Sequence, residues 1–164
     1  MRPALVTVVL LLVMFMTDPV AGGLREMLIK KCEESPLESC GSGWYRLDSS
    51  RCVKRISTKA TFDEAESFCQ KEGGLLVSIR NEMDSTKLTC MVVIQSNMYQ
   101  YWIGARRQEG TFQWLDGSGL VPYKRWFGAL HQRQDCMEMM GFMYGRWSEL
   151  PCSSRRPFVC QKAG

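Results

Sequence analysis

The first hydrophobic feature of the chain is a block with no periodicity. Leu5 to Met16 is almost unbroken apolar sequence, preceded by Arg2 and followed by the small residues Val20-Ala21-Gly22. A basic start, an apolar centre and a small-residue exit are the three parts of a secretory signal. The run is too short for a membrane span and lacks basic flanks. Residues 1–22 are therefore expected to be a signal peptide, cut before Gly23, and the mature chain to be secreted and extracellular. Residues 23–39 are polar and mixed in charge, and are expected to form an N-terminal arm or a short helix.

Beyond that point the pattern becomes structured. Trp44 to Ile56 holds short β-like runs around Asp48-Ser49-Ser50, which predicts a hairpin. Thr61 to Glu72 predicts a helix: Thr61 and Glu64 form a capping box, Phe62, Ala65, Phe68 and Cys69 share a face, and Gly73-Gly74 stops it. Leu75 to Ile79 reads as a buried strand. A second helix starts at Asn81, with Met83, Leu88, Met91 and Val92 as its inner face. Short strands are predicted at Trp102–Arg106, Phe112–Leu115, Asp135–Met139 and Phe158–Gln161, with Met137 and Met139 on a buried face and a turn over Met140–Met143. Two helices among short strands make an α+β domain.

At 164 residues, with 45% apolar and 23% charged residues, the chain has room for one globular domain and is neither disordered nor collagen-like. The eight cysteines change the picture. Cys32, Cys40, Cys52, Cys69, Cys90, Cys136, Cys152 and Cys160 are an even set in an exported chain and read as disulfides. No Cys-x-x-Cys pair occurs and His131 is the single histidine, so a zinc site is not expected. No nucleophile–base pair, paired carboxylates or phosphate loop can be assembled either, so the protein is not expected to be an enzyme.

Taken in order, these pieces resemble the C-type lectin-like domain from Cys40 to Cys160. The matching motifs are Cys40-Gly41-Ser42-Gly43-Trp44 through Cys52, Ala65-Glu66-Ser67-Phe68-Cys69, and Gly74 to Ile79. They continue with Trp102-Ile103-Gly104, Phe112 to Ser118, Asp135-Cys136, Trp147 with Cys152, and Pro157-Phe158-Val159-Cys160. The resemblance is to the long, single-domain form, similar to soluble fish lectins, and implies a domain over residues 40–162 with two helices, short antiparallel strands and a long-loop region. It implies the disulfides Cys40–Cys52, Cys69–Cys160 and Cys136–Cys152. Cys32 and Cys90 are left either to pair with each other, the favoured arrangement, or to let Cys32 bridge a second chain into a dimer.

Sugar-binding members hold calcium with an acid–Pro–amide loop, a carboxylate before the third-last cysteine and an Asn-Asp pair after a tryptophan. Calcium takes six to eight oxygens. Here Trp126 to Cys136 contains no such triplet, Gln134 stands where a carboxylate is expected, and Ser148-Glu149 replaces the Asn-Asp pair. Arg106 and Arg107 lie near the family's auxiliary site. No cofactor, and specifically no calcium, is expected.

Charge is uneven. Residues 23–100 are balanced, so the net +4 lies in the half from Tyr101 onward, with Arg106, Arg107, Lys124, Arg125, Arg133, Arg146, Arg155 and Arg156 as main contributors. Arginine forks suit sulfate, phosphate and carboxylate. The candidate ligand-binding residues are Lys124, Arg125, Trp126, Phe127, His131, Arg133, Arg146 and Glu149. Trp44, Trp102, Trp114 and Trp147 are assigned to the core. The expected function is calcium-independent recognition of an extracellular protein or an anionic glycan. The alternatives are a carbohydrate-binding lectin with non-standard contacts, or an antifreeze, venom or biomineral-type protein. A venom-type heterodimer is disfavoured because no cysteine lies between Asp116 and Asp135. Nucleic acid is not an expected partner, and no Asn-x-Ser/Thr glycosylation site occurs.

Overall fold

The first described residues, from Pro19, are helical. The computed structural model describes residues 19–34, 36–95, 100–119, 121, 126, 134–141 and 144–164. Most of the expected signal segment, residues 1–18, lies outside the described residues. The expected arm is a helix, α1 (Pro19–Glu34), in a unit that ends at Pro36. Its later part is rich in good helix formers such as Glu26, Met27, Leu28 and Lys30, which accounts for helix where the mixed charge left the choice open.

The second unit, Leu37–Gly164, holds two helices and every described strand. The strands are β1 (Ser39–Gly41), β2 (Trp44–Arg46), β3 (Arg51–Ala60), β4 (Leu75–Leu76), β5 (Gln100–Gln108), β6 (Thr111–Trp114), β7 (Cys136–Met140), β8 (Arg146–Leu150) and β9 (Arg156–Ala163). The helices are α2 (Phe62–Lys71) and α3 (Glu82–Gln95). Sheet order is β1-β2-β3-β9-β5-β7-β8, with β4 added to β9 and β6 to β5. The pairings are antiparallel except β5 with β9, which are parallel at Trp102–Phe158, so the sheet is mixed.

The long β3–β9 ladder, from Arg51–Ala163 to Ala60–Arg156, brings the beginning and end of this unit side by side. The Cys69–Cys160 disulfide ties α2 to that ladder, Cys40–Cys52 joins β1 to β3, and Cys136–Cys152 fastens the start of β7 to the turn after β8. Cys32 and Cys90 are disulfide-bonded as well, and no cysteine is free.

Helix α2 starts as its capping box dictates. Thr61 Oγ1 accepts from the Glu64 N–H at 3.3 Å, and Glu64 Oε2 accepts from the Thr61 N–H at 2.9 Å. Phe62, Ala65 and Cys69 are buried, but Phe68 is 38% exposed, its ring in an edge-to-face pair with Phe158 at 5.4 Å between centroids. In α3, Asn81 Oδ1 caps the Asp84 N–H at 2.9 Å. Leu88, Met91 and Val92 point inward, whereas Met83 is 63% exposed. The reason is that polar Asp84 and Ser85 occupy the buried face in the first turn.

Other boundaries shift for similar reasons. Only Leu75–Leu76 is strand; Val77 to Ile79 stay buried, with the Val77 N–H bonded to the Val159 carbonyl at 2.9 Å. Met140 is a buried residue of β7 rather than part of a turn. Strands β1 and β8 add to the predicted set. The core has two parts. Tyr101, Ile103, Trp114, Met137, Met139 and Trp147 lie in one, and Trp44, Phe62, Leu76, Trp102 and Phe158 in the other. Both assign the four tryptophans to packing, as their motifs imply.

Candidate functional site

The long loop leaves the sheet after β6 and returns at Gln134-Asp135, immediately before β7. Three segments meet at that return. Arg107, near the end of β5, donates its backbone N–H to the Asp135 carbonyl at 2.8 Å. Its Nε donates to the Gln134 carbonyl at 3.2 Å and its Nη1 to the Gly110 carbonyl at 3.1 Å. Its Nη2 lies 2.9 Å from Glu149 Oε2 on β8. The same Oε2 accepts from the Gln134 N–H at 3.0 Å. Glu149 is nearly buried, at 5% side-chain exposure, and the guanidinium lies over Phe112, 4.5 Å from the ring centroid. Charge, hydrogen bonding and ring contact all hold the pair in one geometry.

These are the positions where the resemblance asks for ion ligands. Gln134 replaces the expected carboxylate, and Glu149 is already matched by a guanidinium. Ser148 Oγ is turned to Glu138 Oε1 at 2.8 Å. Among the described residues, Glu149 is shared between an arginine and a backbone amide, and Asp135 Oδ1 lies 3.7 Å from the same Arg107, which does not fit the oxygen-rich shell calcium requires. Among the described residues, no group of three or more His, Cys, Asp or Glu is placed to hold a metal ion.

Of the predicted ligand-binding residues, Trp126, Arg146 and Glu149 are described; Lys124, Arg125, Phe127, His131 and Arg133 lie outside the described residues. Trp126 is half-buried. It bridges to Trp147, its ring 6.3 Å from that of Trp147 and 5.4 Å from that of Phe112, so it packs against the core. Glu149 is a clamp residue rather than a free ligand. Arg146, at the start of β8, is exposed.

The concentration of positive charge is partly neutralised within the fold. Arg106 pairs with Asp63 at 2.8 Å, Arg155 with Glu64 at 3.0 Å, and Arg156 with Glu138 at 2.8 Å. With Arg107 also committed, Arg146 is the cation of that group that has no acidic partner among the described residues.

Periodicity gives no sign of a second polar cluster. Asp116, at the start of the long loop, accepts from the Ser78 hydroxyl, from Arg80 Nη2 at 2.8 Å, from Gln161 Nε2 at 2.9 Å, and from the Ser118 N–H at 3.0 Å. Burial opposes its ionisation. Hydrogen bonds from Ser118, Ser78, Arg80 and Gln161 outweigh that and hold the carboxyl well below its usual range. A neighbouring depression of about 370 Å³ has Arg51 and Gln161 in its lining and Arg80 and Lys162 beside them. Arg51 and Gln161 are spent on the same network, so the depression belongs to the scaffold that anchors the loop's departure.

Residues 58–162 match the family model described as the lectin C-type domain. A C-type isolectin from Scorpaena plumieri is 34% identical over 80% of this chain and 94% of its own length. One chain of a snaclec coagulation factor IX-binding protein from Protobothrops flavoviridis is 33% identical over 74% of this chain and 98% of its own. A crystal structure described as a calcium-independent type II antifreeze protein superposes with a TM-score of 0.66 at 29% identity, covering 76% of this chain and 95% of the other.

Proposed function

The chain belongs to the lectin C-type domain family, and from that premise we propose that it is a secreted recognition protein, not an enzyme, that binds its extracellular ligand without calcium through the long-loop half. The observation that carries the reading is the commitment of Glu149. Its carboxylate is the one acidic side chain left at an ion-ligand position, and it is matched by Arg107 and by the Gln134 amide. An ion entering there would have to displace a charge-assisted pair that is nearly buried.

The ligand class follows from the remaining surface. A protein or an anionic glycan is favoured over a neutral sugar, because a neutral sugar would need the ion's coordination to hold its vicinal hydroxyls. Arg146, at the start of β8, is an exposed cation in that half of the chain. The likeness to a protein described as a calcium-independent antifreeze favours a second reading, an ice-binding surface on the same frame; an ice-recrystallisation assay tests it directly.

The experiment for the main reading is a glycan array run with calcium and again with chelator. Signals for sulfated or carboxylated glycans that persist in chelator are expected. Binding that vanishes on chelation overturns the reading.

A further inference from the structure

The contacts of Arg107 have one peculiarity beyond their number. They converge from three segments that are separate in sequence: the β5–β6 turn through Gly110, the returning loop through Gln134 and Asp135, and β8 through Glu149. Gln134 is held on both sides of its backbone. Its carbonyl accepts from Arg107 Nε, and its N–H donates to the carboxylate that Arg107 pairs with. A guanidinium is planar and carries five donors in fixed directions, so it can hold several acceptors at set angles. An ammonium group has no such fork.

We propose that Arg107 is the positioning residue of the recognition face, a built-in cation that fixes where the long loop rejoins the sheet. In ion-dependent members the resemblance implies that a metal gathers the oxygens of these positions. Here the guanidinium gathers the carbonyls of Gln134 and Gly110 and the carboxylate of Glu149 instead. The role rests on the long-loop half being the recognition surface. The geometry of the clamp does not depend on which ligand is bound, nor on the ligand being anionic.

An ordinary stabilising ion pair would make a different demand. Its loss would loosen the domain as a whole, whereas loss of a positioning clamp frees the loop's return while the β3–β9 ladder stays closed. Amide hydrogen exchange separates the two. In the disulfide-intact chain, exchange is measured at Gln134, with Val159 of β9 as the control, for the unaltered protein, Arg107→Ala, Arg107→Lys, Glu149→Gln and the Arg107→Ala/Glu149→Gln double variant. Arg107→Ala and Glu149→Gln are expected to speed exchange at Gln134 by about tenfold or more, with Val159 unchanged. Arg107→Lys is not expected to restore protection, and the double variant should be no faster than Arg107→Ala alone, since both changes break one unit. Unchanged exchange at Gln134, or equal acceleration at Val159, overturns the proposal.

The glycan array in chelator supplies the second arm. If Arg107→Ala loses a signal that the unaltered protein keeps, the positioning role stands; if it keeps the full signal, the role is overturned. An unaltered protein whose binding disappears in chelator defeats the calcium-independent reading instead, and the exchange data still decide the clamp.

Discussion

Arg51 Nη2 lies 2.6 Å from Asp84 Oδ2, and both side chains are buried. Arg51 also donates to Asp48 Oδ2, to the Ser78 carbonyl and hydroxyl, and to Gln161 Oε1, so one guanidinium joins β3 to α3, β9 and the segment after β4. Removing one partner of such a pair leaves the other charge buried without compensation. Arg51→Ala is expected to cost about 3–5 kcal/mol, measured by urea denaturation of the oxidised protein. A cost below about 1 kcal/mol would mean that the pair contributes no more than an exposed one.

Acid should weaken the fold through two aspartates. Burial opposes ionisation of Asp48, but hydrogen bonds from Ser50 and Arg51 bring its carboxyl down to about 2; Asp116 is lowered in the same sense by the bonds described above. A carboxyl with a depressed folded pKa gives stability that is fully present above the unfolded value, about 4, and is lost as pH falls toward the folded one. Glu138 runs the other way. Burial raises its carboxyl against the lowering by Ser148 and Arg156, so its contribution declines as pH rises through the folded value. Asp116→Asn should therefore be less stable than the unaltered protein at pH near 7, and the gap should narrow below about pH 4, where the unfolded chain's carboxyl takes up a proton while the folded one stays ionised. Urea midpoints at the two pH values give the answer. A gap that stays constant sinks the assignment.

How much of this can be read from sequence depends on the range of the interaction. The hairpin around Asp48 and the capping box of α2 are local signals, and both elements form where those residues put them. Strand β8 leaves no such signal because its inward positions are Trp147 and Glu149, and a buried carboxylate breaks the apolar alternation on which period-2 reading depends. Met83 reads as inward for the converse reason: Asp84 takes a buried position, where Arg51 of β3 supplies its charge partner, and Ser85 is buried beside it. The candidate site divides in the same way. The depletion of ion ligands at Gln134 and Ser148 is visible in the linear order of residues. The pairing of Arg107 with Glu149 is not, since no local pattern links a residue of β5 to one of β8.

Gly104 of the Trp102-Ile103-Gly104 motif is expected to tolerate no side chain. Its N–H donates to the Val77 carbonyl at 2.7 Å, and an added Cβ would overlap the backbone carbonyl of Leu76. The obstruction is backbone, so no rotamer change relieves it. Gly104→Ala should cost about 1–3 kcal/mol or more through forced separation of β5 from β4, read as a lower urea midpoint. A variant as stable as the unaltered protein would show that the two segments can part freely.

Arg146 and Arg155 are both exposed arginines of the same charge, but the fold treats them differently. Arg155 is paired with Glu64 at 3.0 Å and bonded to the Lys59 carbonyl, whereas Arg146 stands at the start of β8, one residue before Trp147, which bridges to the half-buried Trp126. If the long-loop half takes an anionic ligand, Arg146→Ala should weaken binding of a sulfated oligosaccharide by about three- to tenfold, and binding to the unaltered protein should fall as salt rises past the Debye regime of ~0.1 M. Arg155→Ala removes the same unit of charge from the molecule and should change affinity by less than about twofold, since its charge is already shared with Glu64. Titration calorimetry in chelator compares the two. Equal losses would mean that the ligand senses only net charge, and an anion-selective face built around β8 would have to be abandoned.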